Sequence, residues 1–179
     1  MRIVAGSARG TRLTRVPPGT RPVSDRAREG LFSSLGERVP GAVCLDLFAG
    51  TGAMGIEALS RGAERCDFVD SSQAAAGTIR ANLARTHLED RARVVRSDAR
   101  RFLAGAEGGY DLAFLDPPYA LPEPDLTDVL VTLQPHLLTG ATLALTRPTQ
   151  SGTDVIPVNF QVVRRLSYGD ARILVLEAQ

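Results

Sequence analysis

The chain has 179 residues and a net charge of +1, with 44% hydrophobic and 23% charged residues. That length suits one domain, or one domain with a small extension, and the composition is ordinary for a water-soluble globular protein. No apolar run approaches the roughly 20 residues of a membrane helix, and the N-terminus lacks the apolar stretch of a secretory signal, so we expect neither a membrane nor a secreted protein. Cys44 and Cys66 lie in apolar runs without metal-ligand spacing, and His87 and His136 are isolated. We therefore expect reduced core cysteines, no metal site and a cytoplasmic location.

Positive charge is concentrated at the start of the chain. Residues 1–28 hold seven arginines and a single acid, Asp25, a net +6 that leaves −5 on the remaining 151 residues. Such asymmetry predicts a polyanionic partner that meets one end of the molecule, although a merely solvated terminus would have the same composition. Within this stretch RIVAGSARGTRL is typical of a small β-hairpin, VPPGTRP is rich in turn formers, and Ser24 is placed to cap a helix.

From about residue 43 onward, short apolar runs rich in β-formers alternate with longer helical patterns. The predicted strands are 43–48, 65–70, 92–98, 110–116 and 141–147, and the predicted helices lie near 52–61, 72–87, 98–105 and 125–138. This alternation predicts a parallel sheet that helices cover on both faces. Two last strands, near 158–167 and 171–177, flank a short Tyr-Gly-Asp turn typical of a hairpin. We therefore predict an α/β, Rossmann-like fold: a mostly parallel seven-stranded sheet with an antiparallel last strand, preceded by a small N-terminal β-hairpin.

A glycine-rich loop follows the first of these strands. Gly50-x-Gly52-x-x-Gly55 opens a helix, and glycines there allow a tight turn and a close approach of the backbone to a ligand. Asp70 ends the next strand, 20 residues after Gly50, where its carboxylate could accept from both hydroxyls of a ribose. This pattern fits NAD, FAD and S-adenosylmethionine equally well, and a simple strand-to-helix turn would also produce it.

Further acids narrow the choice of ligand. Asp46 lies inside the first strand, where it could receive an ammonium group, and Asp98 closes the third strand, where it could accept from an adenine amine while the Ala99 N–H donates to the ring. With Asp70 and Asp116, one acid stands at the carboxyl end of each of the first four strands, the edge at which such sheets bind ligands. A ligand with an ammonium, a ribose and an adenine, but no pyrophosphate, is S-adenosylmethionine.

The fourth strand ends in Asp116-Pro117-Pro118-Tyr119. The two prolines stop the strand, fix the backbone and leave carbonyl groups aimed outward. The Asp116 carboxylate and the Pro117 carbonyl could accept both protons of a planar amine, so that its lone pair is directed at a methyl donor. Tyr119 offers a ring on which a base taken out of its stack could lie.

These motifs together resemble the RsmD family of bacterial methyltransferases, which have the class I fold and methylate a guanine N2 amine in small-subunit (16S) ribosomal RNA. The resemblance rests on DLFAGTGAMGIEALSRGA, FVD and DPPY, on RPVSDRAREGLFSSL, and on the start and the closing YGD turn of the chain. Two positions depart from the family: Val23 stands where Thr is usual, so a hydroxyl contact is missing there, and Asp70 often corresponds to Glu, which has a longer reach.

The resemblance implies S-adenosylmethionine as cofactor, ribosomal RNA of the small subunit as partner, and three sets of site residues. The catalytic residues would be Asp116, Pro117, Pro118 and Tyr119. The cofactor-binding residues would be Asp46, Phe48, Gly50, Gly52, Asp70, Ser71, Asp98 and Ala99. The RNA-binding residues would be Arg2, Arg9, Arg12, Arg15 and Arg21, which makes residues 1–23 a basic extension for RNA contact and residues 24–179 the methyltransferase domain.

Several alternatives share some of these features. The same Asp-Pro-Pro-Tyr site would serve a DNA adenine-N6 or a protein-glutamine methyltransferase, although the chain has no room for the separate target-recognition domain of a sequence-specific DNA enzyme. A non-catalytic RNA-binding module could retain the fold, but the complete motif and the four strand-end acids argue against it. A nicotinamide dehydrogenase is the least favoured, since nothing resembles a proton donor for a carbonyl.

Overall fold

The computed structural model describes residues 1–14 and 23–179. Within these residues there are five α-helices and seven strands, which alternate between residues 43 and 148 as the sequence pattern predicts. The helices are α1 (Asp25–Leu35), α2 (Ala53–Ser60), α3 (Gln73–Thr86), α4 (Ala99–Ala104) and α5 (Glu123–Leu133). The strands are β1 (Val43–Leu47), β2 (Arg65–Asp70), β3 (Ala92–Arg96), β4 (Tyr110–Leu115), β5 (Leu137–Pro148), β6 (Phe160–Tyr168) and β7 (Ala171–Ala178).

The seven strands form one sheet in the order β3-β2-β1-β4-β5-β7-β6. Strands β1 to β5 are parallel, whereas β7 lies between β5 and β6 and is antiparallel to both. The predicted fold class and the antiparallel last strand are thus confirmed. Because the chain runs outward from β1 to β3 and then returns to β4, the switch in strand order falls between β1 and β4, which is where ligands of such sheets bind.

Element boundaries differ from the sequence prediction by a few residues, and three of the differences have a local cause. The helix expected over 125–138 ends at Leu133, because Pro135 places the next residues, Gln134–His136, in a short 3₁₀ helix. Strand β5 begins directly after it, at Leu137. The third strand ends at Arg96 rather than at residue 98, since Asp98 serves as the N-cap of α4. In the N-terminal hairpin the pairing is limited to one antiparallel bridge, between Arg2 and Arg12, because the intervening residues form turns.

Each face of the sheet carries a hydrophobic cluster. One contains Phe32 of α1 with Ile56, Phe68 and Phe114; the other contains residues of α4 and α5 with Leu45 and its neighbours. Apolar side chains from the sheet and the helices leave water together, which supplies most of the free energy that holds such layers. Among the described residues, no helix is long and apolar enough to cross a membrane.

The first residues of the chain belong to the same core. Ile3, Ala8 and Leu13 are buried in the cluster of α1 and α2. The fully buried Glu57 carboxylate accepts from the backbone N–H groups of Val4 at 2.8 Å and Ala5 at 3.0 Å. Since a buried carboxylate without such partners would be costly, these bonds fix residues 1–14, the N-terminal segment, to α2. The division of the chain at residue 23 stays a prediction, because residues 15–22 lie outside the described part.

The buried Arg28 of α1 adds a second attachment. Its guanidinium donates to the carbonyl oxygens of Arg2 and Val23 and to the Asp25 carboxylate, and its Nε lies 4.0 Å from Glu57 Oε2. One charged group therefore joins the N-terminal residues, the start of α1 and the middle of α2.

Candidate active site

A cavity of about 460 Å³ opens at the carboxyl ends of β1 to β4. Its lining includes eleven of the twelve residues predicted to be catalytic or cofactor-binding; Gly52, the buried N-cap of α2, is outside the lining. The eleven are Asp46, Phe48, Gly50, Asp70, Ser71, Asp98, Ala99, Asp116, Pro117, Pro118 and Tyr119. The sheet topology therefore brings together residues that are up to 73 positions apart in the sequence.

The glycine loop has the left-handed backbone that its sequence demands. Gly50 has a φ of 55° and Gly52 a φ of 76°, values that residues with a Cβ rarely adopt. Phe48 also has a positive φ, 63°, which the sequence does not signal because the residue is not glycine. A backbone of this kind costs about 1–3 kcal/mol in a non-glycine residue and is concentrated at functional sites. The Gly50 N–H donates to Asp70 Oδ2 at 2.9 Å, which fixes the loop to the end of β2.

Asp46 is 2% exposed and lies at the inner end of the cavity. Its Oδ2 accepts from the Gly55 N–H at 2.9 Å. Burial raises the pKa of Asp46 well above its ordinary range; the Gly55 bond opposes this, while the negative charges of Asp116 and Asp70 reinforce it. A positive ligand group at this point would therefore be favoured by the electrostatics.

Gly55 itself is required for packing. A Cβ at this position would lie 2.4 Å from Phe68 Cε1 and 2.7 Å from Cys66 Sγ, closer than any real contact. The third glycine of the motif thus allows α2 to approach β2, and it thereby sets the distance between the Gly55 N–H and the Asp46 carboxylate.

Asp70 and Asp98 stand along the next part of the edge. Asp70 accepts one backbone N–H on each oxygen, from Gly50 and from Ser72. Asp98 Oδ1 accepts from the N–H groups of Arg100 and Arg101, which makes it the N-cap of α4. Asp46 lies inside β1 and Asp70 ends β2, as predicted, whereas Asp98 and Asp116 follow β3 and β4 rather than ending them. They nevertheless line one cavity.

Asp116 begins the segment at the mouth of the cavity. Burial raises its pKa to about 7, and the neighbouring Thr146 hydroxyl opposes this rise. Thr146 Oγ1 is itself buried without a hydrogen-bond partner of good geometry among the described residues, so it acts on the carboxyl as a nearby dipole. Thr146 follows the residue of β5 that pairs with Leu115 of β4. Sequence reasoning missed this threonine, because only the pairing of β4 with β5 places it there.

The two prolines and Tyr119 complete the mouth. The Leu121 N–H donates to the Pro118 carbonyl at 2.9 Å, which closes a turn. The Tyr119 side chain is 48% exposed. Residues Val23, Thr51, Met54, Ser97 and Ala120 also line the cavity and were not predicted. Asp116, the two prolines and an exposed aromatic ring therefore line one opening, where a planar polar molecule could be held.

Three of the five predicted RNA-binding arginines are described, and none lines the cavity. Arg2, Arg9 and Arg12 are exposed on the N-terminal segment. Arg2 and Arg12 face each other as the non-hydrogen-bonded pair of the antiparallel bridge, the arrangement in which opposite side chains are closest. Arg15 and Arg21 lie outside the described residues. In the described part of the chain, no three His, Cys, Asp or Glu side chains are grouped so as to hold a metal ion.

Comparison with known proteins shows the family. Residues 1–177 match the family model described as "Conserved hypothetical protein 95". Ribosomal RNA small subunit methyltransferase D of Escherichia coli K12 is 36% identical over 183 aligned residues, which cover 100% of this chain and 91% of that protein. YlbH of Bacillus subtilis, described as a candidate rRNA methyltransferase, is 46% identical over 66% of this chain and 67% of its own length.

A solved structure agrees with these sequence matches. The structure of the candidate methyltransferase YhhF from Escherichia coli has a TM-score of 0.86 and 33% sequence identity, and the match covers 100% of this chain and 98% of that one. Both the sequence and the sheet with its N-terminal segment are therefore shared over the full length. This chain belongs to the RsmD family, the family of the ribosomal RNA small subunit methyltransferases D.

Proposed function

We propose that this protein transfers a methyl group from S-adenosylmethionine to the exocyclic N2 amine of a guanine in small-subunit ribosomal RNA, in the cytoplasm. Membership in the RsmD family supports ribosomal RNA as the substrate. The observation that carries the chemistry is that Asp116 and Pro117 line one cavity together with three more aspartates. We assign the two acceptor roles to the Asp116 carboxylate and the Pro117 carbonyl.

The residues around the cavity fit this cofactor. Each Asp70 oxygen has one lone pair beyond its backbone bond, which suits the two hydroxyls of a ribose. The Asp98 cap uses Oδ1, which leaves Oδ2 for an adenine amine and the Ala99 N–H for the ring. Phe48 and Ser71 border the same space, and a sulfonium ligand's ammonium near Asp46 would offset the cost of that buried carboxylate. When bound, the cofactor supplies an activated methyl group.

The work left to the protein is to prepare the amine. An aromatic exocyclic amine is a poor nucleophile because its lone pair is delocalised into the ring. If Asp116 and the Pro117 carbonyl each accept one N–H, the nitrogen becomes pyramidal and its lone pair points into the cavity. Because the pKa of Asp116 is about 7, its ionised form is populated at neutral pH and can hold the proton that the methylated amine releases.

The Pro117-Pro118 segment keeps these acceptors in place, since both φ angles are fixed by the rings. Tyr119 offers its half-exposed ring to a base that has left its stack, a contact worth about 1–3 kcal/mol. Asp46 is only 2% exposed, so little water reaches its end of the cavity, which strengthens the electrostatic contacts made there.

The N-terminal segment supplies the surface for RNA. Two arginines directly opposite each other repel, and a phosphate between Arg2 and Arg12 would remove that repulsion. Arg9 extends the positive surface. We assign the same role to Arg15 and Arg21, and with it residues 1–23 to RNA contact and residues 24–179 to methyl transfer.

A transfer assay tests the chemistry. Small ribosomal subunits from cells lacking the enzyme are incubated with labelled S-adenosylmethionine, with naked ribosomal RNA, DNA and protein in parallel, and the labelled RNA is digested to nucleosides. We expect N2-methylguanosine, and we expect Asp116→Ala to lower the rate by roughly 10²-fold or more while RNA binding is retained. Asp90→Ala, an exposed acid just before β3 at the opposite edge of the sheet, serves as the control. Label only on DNA or protein, or full turnover by Asp116→Ala, would refute the assignment.

Salt dependence tests the RNA surface. Replacing Arg2 and Arg12 with Ala should reduce the slope of log K against log salt by about 1.4 to 1.8, since each phosphate contact contributes roughly 0.7 to 0.9. The charge-matched control replaces Arg38 and Arg85, which lie at the amino-end edge of the sheet. Equal slopes for the two double variants would remove the N-terminal segment from the RNA interface.

A further inference from the structure

One buried amide joins the N-terminal segment to the glycine loop. Asn82 of α3 is 0% exposed. Its Oδ1 accepts from the Thr14 N–H at 2.7 Å, and its Nδ2 donates to the Thr14 carbonyl at 3.0 Å and to the Thr51 carbonyl at 2.9 Å. Both amide hydrogens are therefore used, and they reach two segments that are 37 residues apart in the sequence.

The two segments have different roles in the proposed function. Thr51 stands between Gly50 and Gly52 and lines the cavity. Thr14 follows the exposed Arg12 by two residues and directly precedes Arg15. Asn82 lines neither the cavity nor the protein surface. Any effect of Asn82 on the binding of either ligand must therefore pass through the backbone groups of Thr14 and Thr51.

The hydrogen bond from Asn82 to the Thr51 carbonyl of the glycine loop depends on the two hydrogen bonds between Asn82 and Thr14 of the N-terminal segment. The two bonds to Thr14 engage both ends of a planar amide and so fix its orientation, which directs the remaining Nδ2 hydrogen at the Thr51 carbonyl. If the Thr14 bonds open, the amide can rotate, and the buried Thr51 carbonyl loses its donor. A buried polar group left without a partner costs about 1–3 kcal/mol.

Opening at Thr14 does not require the whole segment to detach. Val4 and Ala5 are held separately by Glu57, and Ala8 donates to the Ser60 hydroxyl at 3.0 Å. The end of the segment at Thr14 can therefore loosen while its beginning stays attached to α2. Contacts of a polyanion with the arginines on both sides of Thr14 would favour the attached state.

We propose that Asn82 is a positioning residue that couples RNA binding on the N-terminal segment to cofactor binding at the glycine loop. The identities of the two ligands rest on the proposed function. Because linkage is reciprocal, each ligand raises the affinity of the other by the same factor. Coupling between sites commonly amounts to about fivefold or more, so the effect is measurable.

The test measures a coupling factor rather than an affinity. The dissociation constant of S-adenosylhomocysteine, which binds without turnover, is measured by calorimetry with and without a saturating 16S ribosomal RNA fragment. We expect the RNA to tighten binding about fivefold or more in the unaltered protein. In Asn82→Leu, which keeps the branched shape of the side chain but loses all three bonds, the factor should fall below about twofold.

A second variant alters only the contact that the N-terminal segment makes with Asn82. Thr14→Pro removes the N–H that binds Asn82 Oδ1 and leaves Asn82 itself intact. It should bind S-adenosylhomocysteine less tightly than the unaltered protein even without RNA, because the Asn82 amide is no longer held toward the Thr51 carbonyl. It should also show a reduced coupling factor, whereas a merely structural role of Asn82 would lower the affinity and leave that factor unchanged. If Asn82→Leu does not fold, Thr14→Pro decides alone.

The outcomes separate the inference from the function on which it rests. Binding of both ligands without coupling in the unaltered protein, or normal coupling in the variants, would overturn the inference and leave the methyltransferase assignment standing. Failure of the unaltered protein to bind S-adenosylhomocysteine at all would overturn the assignment itself, and the transfer assay would then fail as well.

Discussion

Replacing Asp116 with Asn should make the protein more stable at alkaline pH. The Asp116 carboxyl has a pKa of about 7 in the folded protein because it is buried, against 3.8 for an ordinary aspartate. The folded state therefore holds this proton more tightly than the unfolded state does. The contribution of this group to the free energy of unfolding is highest below about pH 4 and decreases as the pH rises from about 4 to about 7. Above that range the contribution stays at its lowest value. An amide does not titrate, so the variant escapes this loss.

The size of the effect follows from the pKa difference. Three pH units at about 1.4 kcal/mol each give roughly 4 kcal/mol as an upper bound for the whole range. About two of these pH units lie between pH 5 and pH 7, inside the range to be measured. Water at the open side of the cavity reduces the cost of ionising Asp116 further. We expect the variant to gain about 1.5 to 3 kcal/mol over the original protein across that interval, or roughly 3 to 12 °C in Tm for a chain of this length.

Thermal unfolding of the two proteins at half-unit steps from pH 5 to pH 8 measures this gain directly. Asp90→Asn, at an exposed position, provides the control for removing one negative charge. If the difference in Tm between Asp116→Asn and the original protein does not change with pH, the carboxyl is not held protonated by burial, and the proposed role in accepting the amine proton loses its basis.

Two further predictions concern neighbouring positions. Thr146→Val should move the midpoint of the pH–rate profile to higher pH, because its hydroxyl lowers the pKa of Asp116. Below about pH 5, where the carboxyl is protonated, the same substitution should leave Tm unchanged or higher, because a buried unpaired hydroxyl is removed. A midpoint that does not move would contradict this prediction. Gly55→Ala should lower the free energy of unfolding in urea by about 2 kcal/mol or more, since its Cβ would overlap Phe68, whereas Gly77→Ala, in open space on α3, should raise it by about 0.5 to 1 kcal/mol. Equal effects of the two glycine substitutions would show that helix propensity, and not the close approach of α2 to β2, decides the outcome.

Local patterns in the sequence were sufficient for the elements and for most of the cavity. The alternation of apolar runs with helical patterns predicted five strands, and the Tyr-Gly-Asp turn predicted the last two. The Gly50-x-Gly52 loop and the Asp-Pro-Pro-Tyr segment are short motifs whose geometry depends on nearby residues. Boundaries failed where one residue had a second role. Asp98 ends β3 early because its side chain caps the next helix, and Pro135 ends α5 before the predicted residue.

The remaining features depend on contacts between residues far apart in the chain, and no local pattern contains them. The pairing of β4 with β5 places Thr146 beside Asp116, and the approach of α2 to β2 requires Gly55 to lack a side chain. The bonds of Asn82 to both Thr14 and Thr51 exist only because α3 packs between the N-terminal segment and the glycine loop. The sequence by itself determined which groups can bind and react, since that is a property of residue type and local spacing. The tertiary structure alone decided which backbone groups hold them in position and how burial raises the pKa of Asp46 and Asp116, because both depend on distance and on exclusion of water.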